Sequence, residues 1–319
     1  MNPQTDTAAH AAFDAQTVAP APLSPTRPMY WSVRRELWEN RSIVYAPLIA
    51  AALVMFGLFV STMTLPHRLR AIPAADTVRQ HHAVAKAFDF APVPVILTAL
   101  LVGVFYCLDA LHGERRDRSI LFWKSLPVSD RTTVLAKAAI PLAVLPLIAI
   151  ALSIVVQILL LQLGTMVVMG HGRSPAPLWG EARFFQGLVI MFYGLGAHVL
   201  WFAPIYGWLM LVSAWAKRAP VLWALLPPLA ISAVERITFG TKFFMNMLQY
   251  RVTGAMKEAF VHASPAAKGS CAGCDGNIDR LSQLDPARLL GAPGLWVGLL
   301  FAAACFAVAV RLRRNREPI

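Results

Sequence analysis

The chain has 319 residues, of which 57% are hydrophobic and only 14% are charged. Soluble domains carry about a quarter charged residues, so this composition excludes an ordinary soluble domain and indicates a polytopic membrane protein. The net charge of +12 is typical of basic flanks that hold spans at an anionic cytoplasmic leaflet, and no base-reading motif supports nucleic-acid binding.

The N-terminal region divides into two parts. Residues 1–28 are rich in Pro, Ala, Thr and Gln and lack the apolar stretch of a signal peptide, so we expect a disordered cytoplasmic tail. Residues 29–42 place Met29, Val33 and Leu37 at helical spacing, which predicts an amphipathic helix in the headgroup plane. The residues that carry this interfacial helix are Trp31, Arg34, Arg35, Glu36 and Trp38. The charged side chains expected on its polar face are Arg35, Glu36 and Glu39.

Six segments are apolar over a length close to the ~20 residues that cross a bilayer. They are residues 43–64, 91–111, 138–163, 187–215, 219–234 and 294–310. The fourth is long, so it is tilted, kinked at Pro204 or extended past the bilayer. The fifth contains Pro227 and Pro228, which leave carbonyl groups for neighbouring helices to satisfy. The predicted fold is therefore an all-α membrane protein with six transmembrane helices, an interfacial N-terminal helix and a cytosolic elbow.

Lys and Arg are concentrated in the N-terminal flank, between the second and third spans, after the fourth span and in the C-terminal tail. Short loops rich in Lys and Arg stay on the cytoplasmic side. We therefore expect both termini and residues 112–137 in the cytoplasm, and residues 235–293 as an exported loop.

Residues 112–137 form an unusual break between two spans, because they combine many charges with a short apolar run. Glu114 and Arg118 are spaced to pair on one helical face, which predicts a cytosolic extension of the second span. The run "SILFWKSL" (119–126) is too short to span a bilayer. Pro127 ends the helix before it, and a new helix runs from there into the third span.

The new helix has Ser129 or Asp130 as its N-cap. The apolar residues exposed by this elbow are Ile120, Leu121, Phe122 and Trp123. They need a partner, which is either lipid headgroups or another protein.

The layout of the chain resembles the type-2 family of ATP-binding-cassette (ABC) exporter permeases. The matching residues in the elbow are Glu114, Arg115, Asp117, Ser125, Leu126, Pro127, Val128, Ser129 and Lys137, and those before the first span are Arg34, Arg35, Glu36 and Leu37. Many members have Gly-Thr after the acidic residue, where this chain has Arg118-Ser119. In the family this loop carries the coupling helix, which sits in a groove of the ATPase subunit.

The resemblance implies a set of ATPase-coupling residues and a set of partners. The coupling residues are Glu114, Arg115, Asp117, Arg118, Ile120, Leu121, Phe122, Trp123, Ser125, Leu126 and Pro127. No G-x-x-x-x-G-K-[ST] motif occurs in the chain, so the chain itself is expected to be no enzyme and to bind no cofactor. ATP and Mg would be bound by a separate ABC ATPase subunit. A second permease copy or a paired permease would complete the substrate path in a bacterial inner membrane.

Cys271 and Cys274 lie in the segment between the fifth and sixth spans. If that segment is exported, a disulfide is the natural interpretation, and a pair of free thiols is the alternative. A zinc site needs four ligands and only His262 lies nearby, so no metal site is predicted.

Three polar residues in the spans are candidates for function: Asp109, Gln157 and His198. His198 is expected to form an interhelical hydrogen bond, and Asp109 to pair with Arg115 or Arg116. Two other functions stay open: an assembly or sensor protein that binds another cytosolic partner through residues 112–137, and an intramembrane enzyme that uses His198 or the cysteine pair.

Overall fold

The computed structural model describes residues 26–70, 90–119, 122–123, 128–170, 183–261 and 281–315. Over these ranges the chain is helical, and its β-structure is limited to one isolated bridge between Phe260 and Leu284. Six of the described helices are long and apolar enough to cross a membrane. The predicted all-α, six-span fold is therefore confirmed.

The helices are, in chain order, α1 (Thr26–Glu39), α2 (Ser42–Arg70), α3 (Val93–Asp109), α4 (His112–Arg116), α5 (Asp130–Ala139), α6 (Leu145–Gly170), α7 (Arg183–Trp215), α8 (Pro220–Phe239), α9 (Phe243–Ala259), α10 (Pro286–Gly291) and α11 (Pro293–Asn315). A π-helical turn, Ile140–Val144, joins α5 to α6. The spans are α2, α3 with α4, α5 with α6, α7, α8 and α11.

The helices run past several of the predicted bounds, and two of these differences concern the predicted tail and the predicted exported loop. Helix α1 begins at Thr26, so the last three residues of the predicted tail 1–28 are helical. Helix α8 continues to Phe239 and includes Glu235 and Arg236, which were expected to open the exported loop. Cys271 and Cys274 lie outside the described residues, so their disulfide stays a prediction.

Helix α8 contains two prolines and still runs without interruption. Pro228 has no N–H for the carbonyl of Ala224, one turn earlier. The indole Nε1 of Trp208, on α7, donates to that carbonyl at 3.1 Å. A neighbouring helix thus satisfies the carbonyl that the proline leaves open, as the bilayer interior requires.

Helix α7 is the central element of the bundle. Its 33 residues would extend about 50 Å, which is longer than the hydrocarbon core of a bilayer. It packs most extensively on α11, and Gly207 faces the backbone of α11 in this contact. A Cβ at Gly207 would lie 3.1 Å from Cα of Ala302, so the small residue permits the close approach.

An apolar cluster around Trp201 joins α9 to α7 and α11. The guanidinium of Arg251, on α9, lies 4.9 Å from the indole of Trp201 and donates to the carbonyl of Gly294 at 2.7 Å. Burial lowers the pKa of Arg251 below its usual value. The cluster leaves no space at Gly254, where a Cβ would lie 2.8 Å from the Trp201 ring.

We expect Gly254→Ala to lower the free energy of unfolding by about 1–3 kcal/mol, because the added methyl group overpacks a fully buried indole. The matched control is Gly196→Ala on α7, where a Cβ would meet nothing within 4 Å. Thermal unfolding of both variants in detergent checks this prediction. Equal melting temperatures for the two variants would show that the Trp201 cluster tolerates the methyl group.

Candidate functional site: a buried charge network beneath the elbow

Five parts of the chain meet at one end of the helix bundle. They are helix α1, the described residues of the elbow (112–119, 122, 123, 128 and 129), helix α5, the turn between α7 and α8, and the end of α11. Glu114 of the elbow pairs with Arg35 of α1 and with Arg313 of α11. Arg115 reaches the carbonyl of Ala216 in the α7–α8 turn. The segments predicted to share one side of the membrane are therefore in contact.

Glu36 and Lys137 form the centre of this contact. Their residues are only 1% and 2% exposed. The ammonium Nζ of Lys137 lies 2.9 Å and 3.0 Å from the two carboxylate oxygens of Glu36. The hydroxyl of Tyr106 donates to the same carboxylate at 2.8 Å. Helices α1, α3 and α5 are thus joined through a single buried carboxylate.

Glu114 is the second buried carboxylate, and it accepts from three cations. Its Oε1 lies 2.9 Å from Nη2 of Arg35 and 3.2 Å from Nζ of Lys137. Its Oε2 accepts from Nη1 of Arg313, whose Nε also donates to Asp130 at 3.0 Å. We call this set the buried charge network; its members are Arg35, Glu36, Glu114, Asp130, Lys137 and Arg313.

The network holds three cations and three carboxylates, so its formal charges balance. Removing such charges from water is costly, and attraction between them offsets the cost only when each group is closely paired. A missing partner therefore costs more than the intact pair contributes. At the edge of the network, partial burial raises the pKa of Glu39, although Arg35 beside it acts in the opposite direction.

A second set of hydrogen bonds attaches α4 to the end of α7. Oγ of Ser213 accepts from the backbone N–H groups of Leu111 and His112, at 3.0 and 2.9 Å. Nη1 of Arg115 donates to the carbonyl of Ala214 at 2.8 Å, and the His112 ring contacts the carbonyl of Ala216 at 3.2 Å. Each end of a helix leaves backbone groups unpaired. Here the start of α4 and the end of α7 satisfy one another.

The described outer part of the elbow presents charged and aromatic side chains. Asp117 and Arg118 are exposed, and Phe122 is 61% exposed. Trp123 turns inward, and its ring lies 3.7 Å from the guanidinium carbon of Arg35. The predicted coupling residues Ile120, Leu121, Ser125, Leu126 and Pro127 lie outside the described residues.

Of the two predicted N-cap residues, Ser129 and Asp130, the helix uses Ser129. Its Oγ accepts from the backbone N–H of Thr132 at 3.1 Å and starts α5. Helix α5 then carries Asp130 and Lys137 into the network and continues through the π-helical turn into the third span.

Three sequence-based placements need correction. Glu36 was expected on the polar outer face of α1, and it is buried beside Lys137. Glu114 and Arg115 were expected to contact a partner subunit, and both are buried within the bundle. Periodicity assigns charged residues to the outside, whereas these three are buried because cations or carbonyl groups from distant helices pair with them.

The polar residues of the described spans form no metal-binding group. Within the described ranges, no group of three His, Cys, Asp or Glu side chains is placed to hold a metal ion. Nε2 of His198 and Oε1 of Gln157 are buried without a hydrogen-bond partner among the described residues. The His198 ring stacks on Phe202 of the same helix, with 3.9 Å between the ring centres. The predicted interhelical hydrogen bond of His198 is absent among the described residues.

Asp109 lies at the end of α3, exposed, and its predicted partners are engaged elsewhere. Arg115 donates to the carbonyl groups at the end of α7, and Arg116 pairs with Asp117 at 3.0 Å. Within the described residues Asp109 forms no ion pair with either arginine, although its charge still acts electrostatically on Arg116.

Comparisons of the chain with protein-family models, with curated proteins and with solved structures give no match. The function is therefore inferred from the geometry of the site and from the resemblance of the elbow sequence.

We expect Lys137→Met to lower the free energy of unfolding by about 3–5 kcal/mol, because it leaves two buried carboxylates without the more deeply buried of the two cations that they share. The double variant Glu36→Gln/Lys137→Met should recover part of that loss, since it removes one of those charges as well. Thermal unfolding in detergent measures both effects. Arg116→Gln is the control, because its pair with Asp117 is exposed, and it should leave the melting temperature unchanged. If the loss of stability in the double variant equals the sum of the losses in Glu36→Gln and Lys137→Met, the two residues are not coupled.

Arg118 has a left-handed backbone conformation, with φ at 56°. Only glycine adopts this region without steric cost, so we expect Arg118→Gly to be about 1 kcal/mol more stable than Arg118→Ala. The alanine variant is the matched control, because it also removes the side chain but keeps Cβ. The melting temperatures of the two variants test this prediction. A higher melting temperature for the alanine variant would show that the backbone at Arg118 is not strained.

Proposed function

We propose that this chain is the membrane-spanning permease subunit of an ABC exporter, driven by a separate ATPase subunit that docks on the elbow. The observation that carries the proposal is the buried charge network. It connects the elbow to α1, α5 and α11 through Glu114, Lys137 and Arg313. A loop that only joins two spans needs no such attachment.

The attachment of the elbow explains how force would reach the spans. On one side α4 is hydrogen-bonded to the end of α7 through Ser213 and Arg115. On the other side α5 continues through the π-helical turn into α6. π-helical turns recur at functional sites and locally loosen a helix. A push on the elbow would therefore move α7 directly and α6 about this turn, as a rigid-body or hinge motion requires.

The outer surface of the elbow has the mixed character of a docking site. Phe122 supplies an exposed aromatic ring, and Asp117 and Arg118 are exposed residues of opposite charge in the same elbow. Aromatic anchors within a polar rim are typical of transient protein interfaces. The resemblance to type-2 exporter permeases supports an ATPase as the protein that binds there.

The sequence contains no phosphate-binding motif, so the proposal assigns ATP binding and hydrolysis to the separate subunit. ATP and Mg would be held by the ATPase, and this chain would bind no cofactor and perform no hydrolysis. The substrate path would form between two permeases in a bacterial inner membrane, with both termini and the elbow in the cytoplasm. Helix α8 is the least buried of the six described spans, so a second copy would pack against it.

We expect Phe122→Asp to abolish co-purification of an ATPase with the full-length chain, because a buried carboxylate would replace the aromatic anchor. The measurement is affinity purification from native membranes followed by assay of ATP hydrolysis and identification of bound proteins. Leu281→Asp is the matched control, since Leu281 is an exposed apolar residue outside the elbow. Both variants must keep the melting temperature and the elution volume of the wild type.

Two outcomes would contradict this function. If the wild-type chain co-purifies with a partner that lacks a nucleotide-binding motif and Phe122→Asp releases it, the assembly or sensor function is favoured. If an ATPase stays bound to Phe122→Asp as it does to the wild type, the elbow is not its docking site.

A further inference from the structure

Helix α1 carries two consecutive arginines with opposite surroundings. Arg35 points into the bundle and is engaged by Glu36, Glu39 and Glu114. Arg34 is held between two tryptophans, with its guanidinium carbon 5.1 Å from the Trp31 ring and 4.6 Å from the Trp38 ring. Within the described residues Arg34 has no acidic partner.

The two tryptophans hold the guanidinium of Arg34 in place, and its N–H donors have no acceptor among the described residues. A cation over an indole face is attracted by the ring, and two such contacts restrict its position from both sides. The guanidinium has five N–H donors in a planar fork, which matches the oxygen atoms of a phosphate. An arginine that is positioned but unpaired is thus prepared for an anion from outside the chain.

The position of Arg34 identifies the source of that anion. Helix α1 ends at Glu39 and the first span starts at Ser42, so the Arg34 site lies beside the entry of the chain into the bilayer. Trp31 and Trp38 are 56% and 65% exposed, as is typical of aromatic residues at the headgroup level. Arg41, one heptad after Arg34, is exposed next to the first span and adds a second positive charge.

We propose that Arg34, clamped between Trp31 and Trp38, binds the phosphate of an anionic phospholipid, with Arg41 favouring a headgroup of net negative charge. A bidentate guanidinium–phosphate pair is short, directional and about twice as strong as a neutral hydrogen bond. The two indoles contact the glycerol and upper acyl region, where amphipathic rings are most stable. The inference requires only that the chain spans a membrane, and it is independent of an ATPase partner.

The experiment measures lipid retained by the purified full-length chain. The delipidated protein is titrated with phosphatidylglycerol or with phosphatidylcholine in mixed micelles, and the bound lipid is counted by native mass spectrometry. The wild type should prefer phosphatidylglycerol, and Arg34→Gln should weaken that binding about fivefold. Arg34→Lys should be intermediate, because it keeps the charge but loses the planar fork.

Arg218→Gln is the matched control, because Arg218 is exposed in the α7–α8 turn at the same end of the bundle. It should bind phosphatidylglycerol like the wild type. The double variant Trp31→Leu/Trp38→Leu keeps an apolar surface without the clamp and should lose affinity while it retains its fold in phosphatidylcholine.

Three results would overturn the inference. The first is unchanged phosphatidylglycerol binding by Arg34→Gln or by the double leucine variant. The second is an equal loss in Arg218→Gln, which would reduce the effect to general charge. The third is full displacement of the lipid by millimolar glycerol phosphate, which would assign the site to a soluble anion.

Discussion

Lys137 pairs with two buried carboxylates, and the packing at the end of the bundle that carries the elbow depends on these two ion pairs. Glu36 comes from α1 and Glu114 from α4, so a single ammonium group joins three segments that are far apart in sequence. Neither carboxylate is stable in this position alone, since a buried unpaired charge costs several kcal/mol. The positions of α1, the elbow and α5 are therefore set together, and Arg313 adds α11 to the same set.

This dependence separates the parts of the elbow that position it from the parts that face outward. Glu114 and Arg115 are buried and fix the elbow to the bundle, whereas Asp117 and Phe122 are exposed. The stretch that resembles exporter permeases contains residues of both kinds, as the proposed docking function would require. The left-handed Arg118 marks the turn between these parts.

Hydropathy predicts the six spans because each span satisfies its own backbone and exposes apolar side chains to lipid, which is a local property. Capping is also local, so the sequence predicts the start of α5 to within one residue, Ser129 or Asp130, and the cap is Ser129. The buried charge network is not local: Arg313 and Glu114 are 199 residues apart. Helical periodicity treats each charge as solvent-facing, so it places Glu36 outside. A surplus of paired charges near the ends of several spans was the available signal, but their pairing depends on how the helices assemble.

The Arg34–Arg35 pair shows the same limit at the scale of two residues. Consecutive residues on an α-helix point about 100° apart, so one arginine enters the network while the other faces the boundary. As members of a basic flank, Arg34 and Arg35 would have the same role. Their surroundings differ, because Arg35 pairs with carboxylates and Arg34 lies over two indole rings. Arg35 also lies over Trp123 of the elbow, so α1 would connect the proposed lipid site to the elbow by two adjacent side chains. A change in the headgroups around Arg34 would therefore act on the same helix that holds the elbow in place.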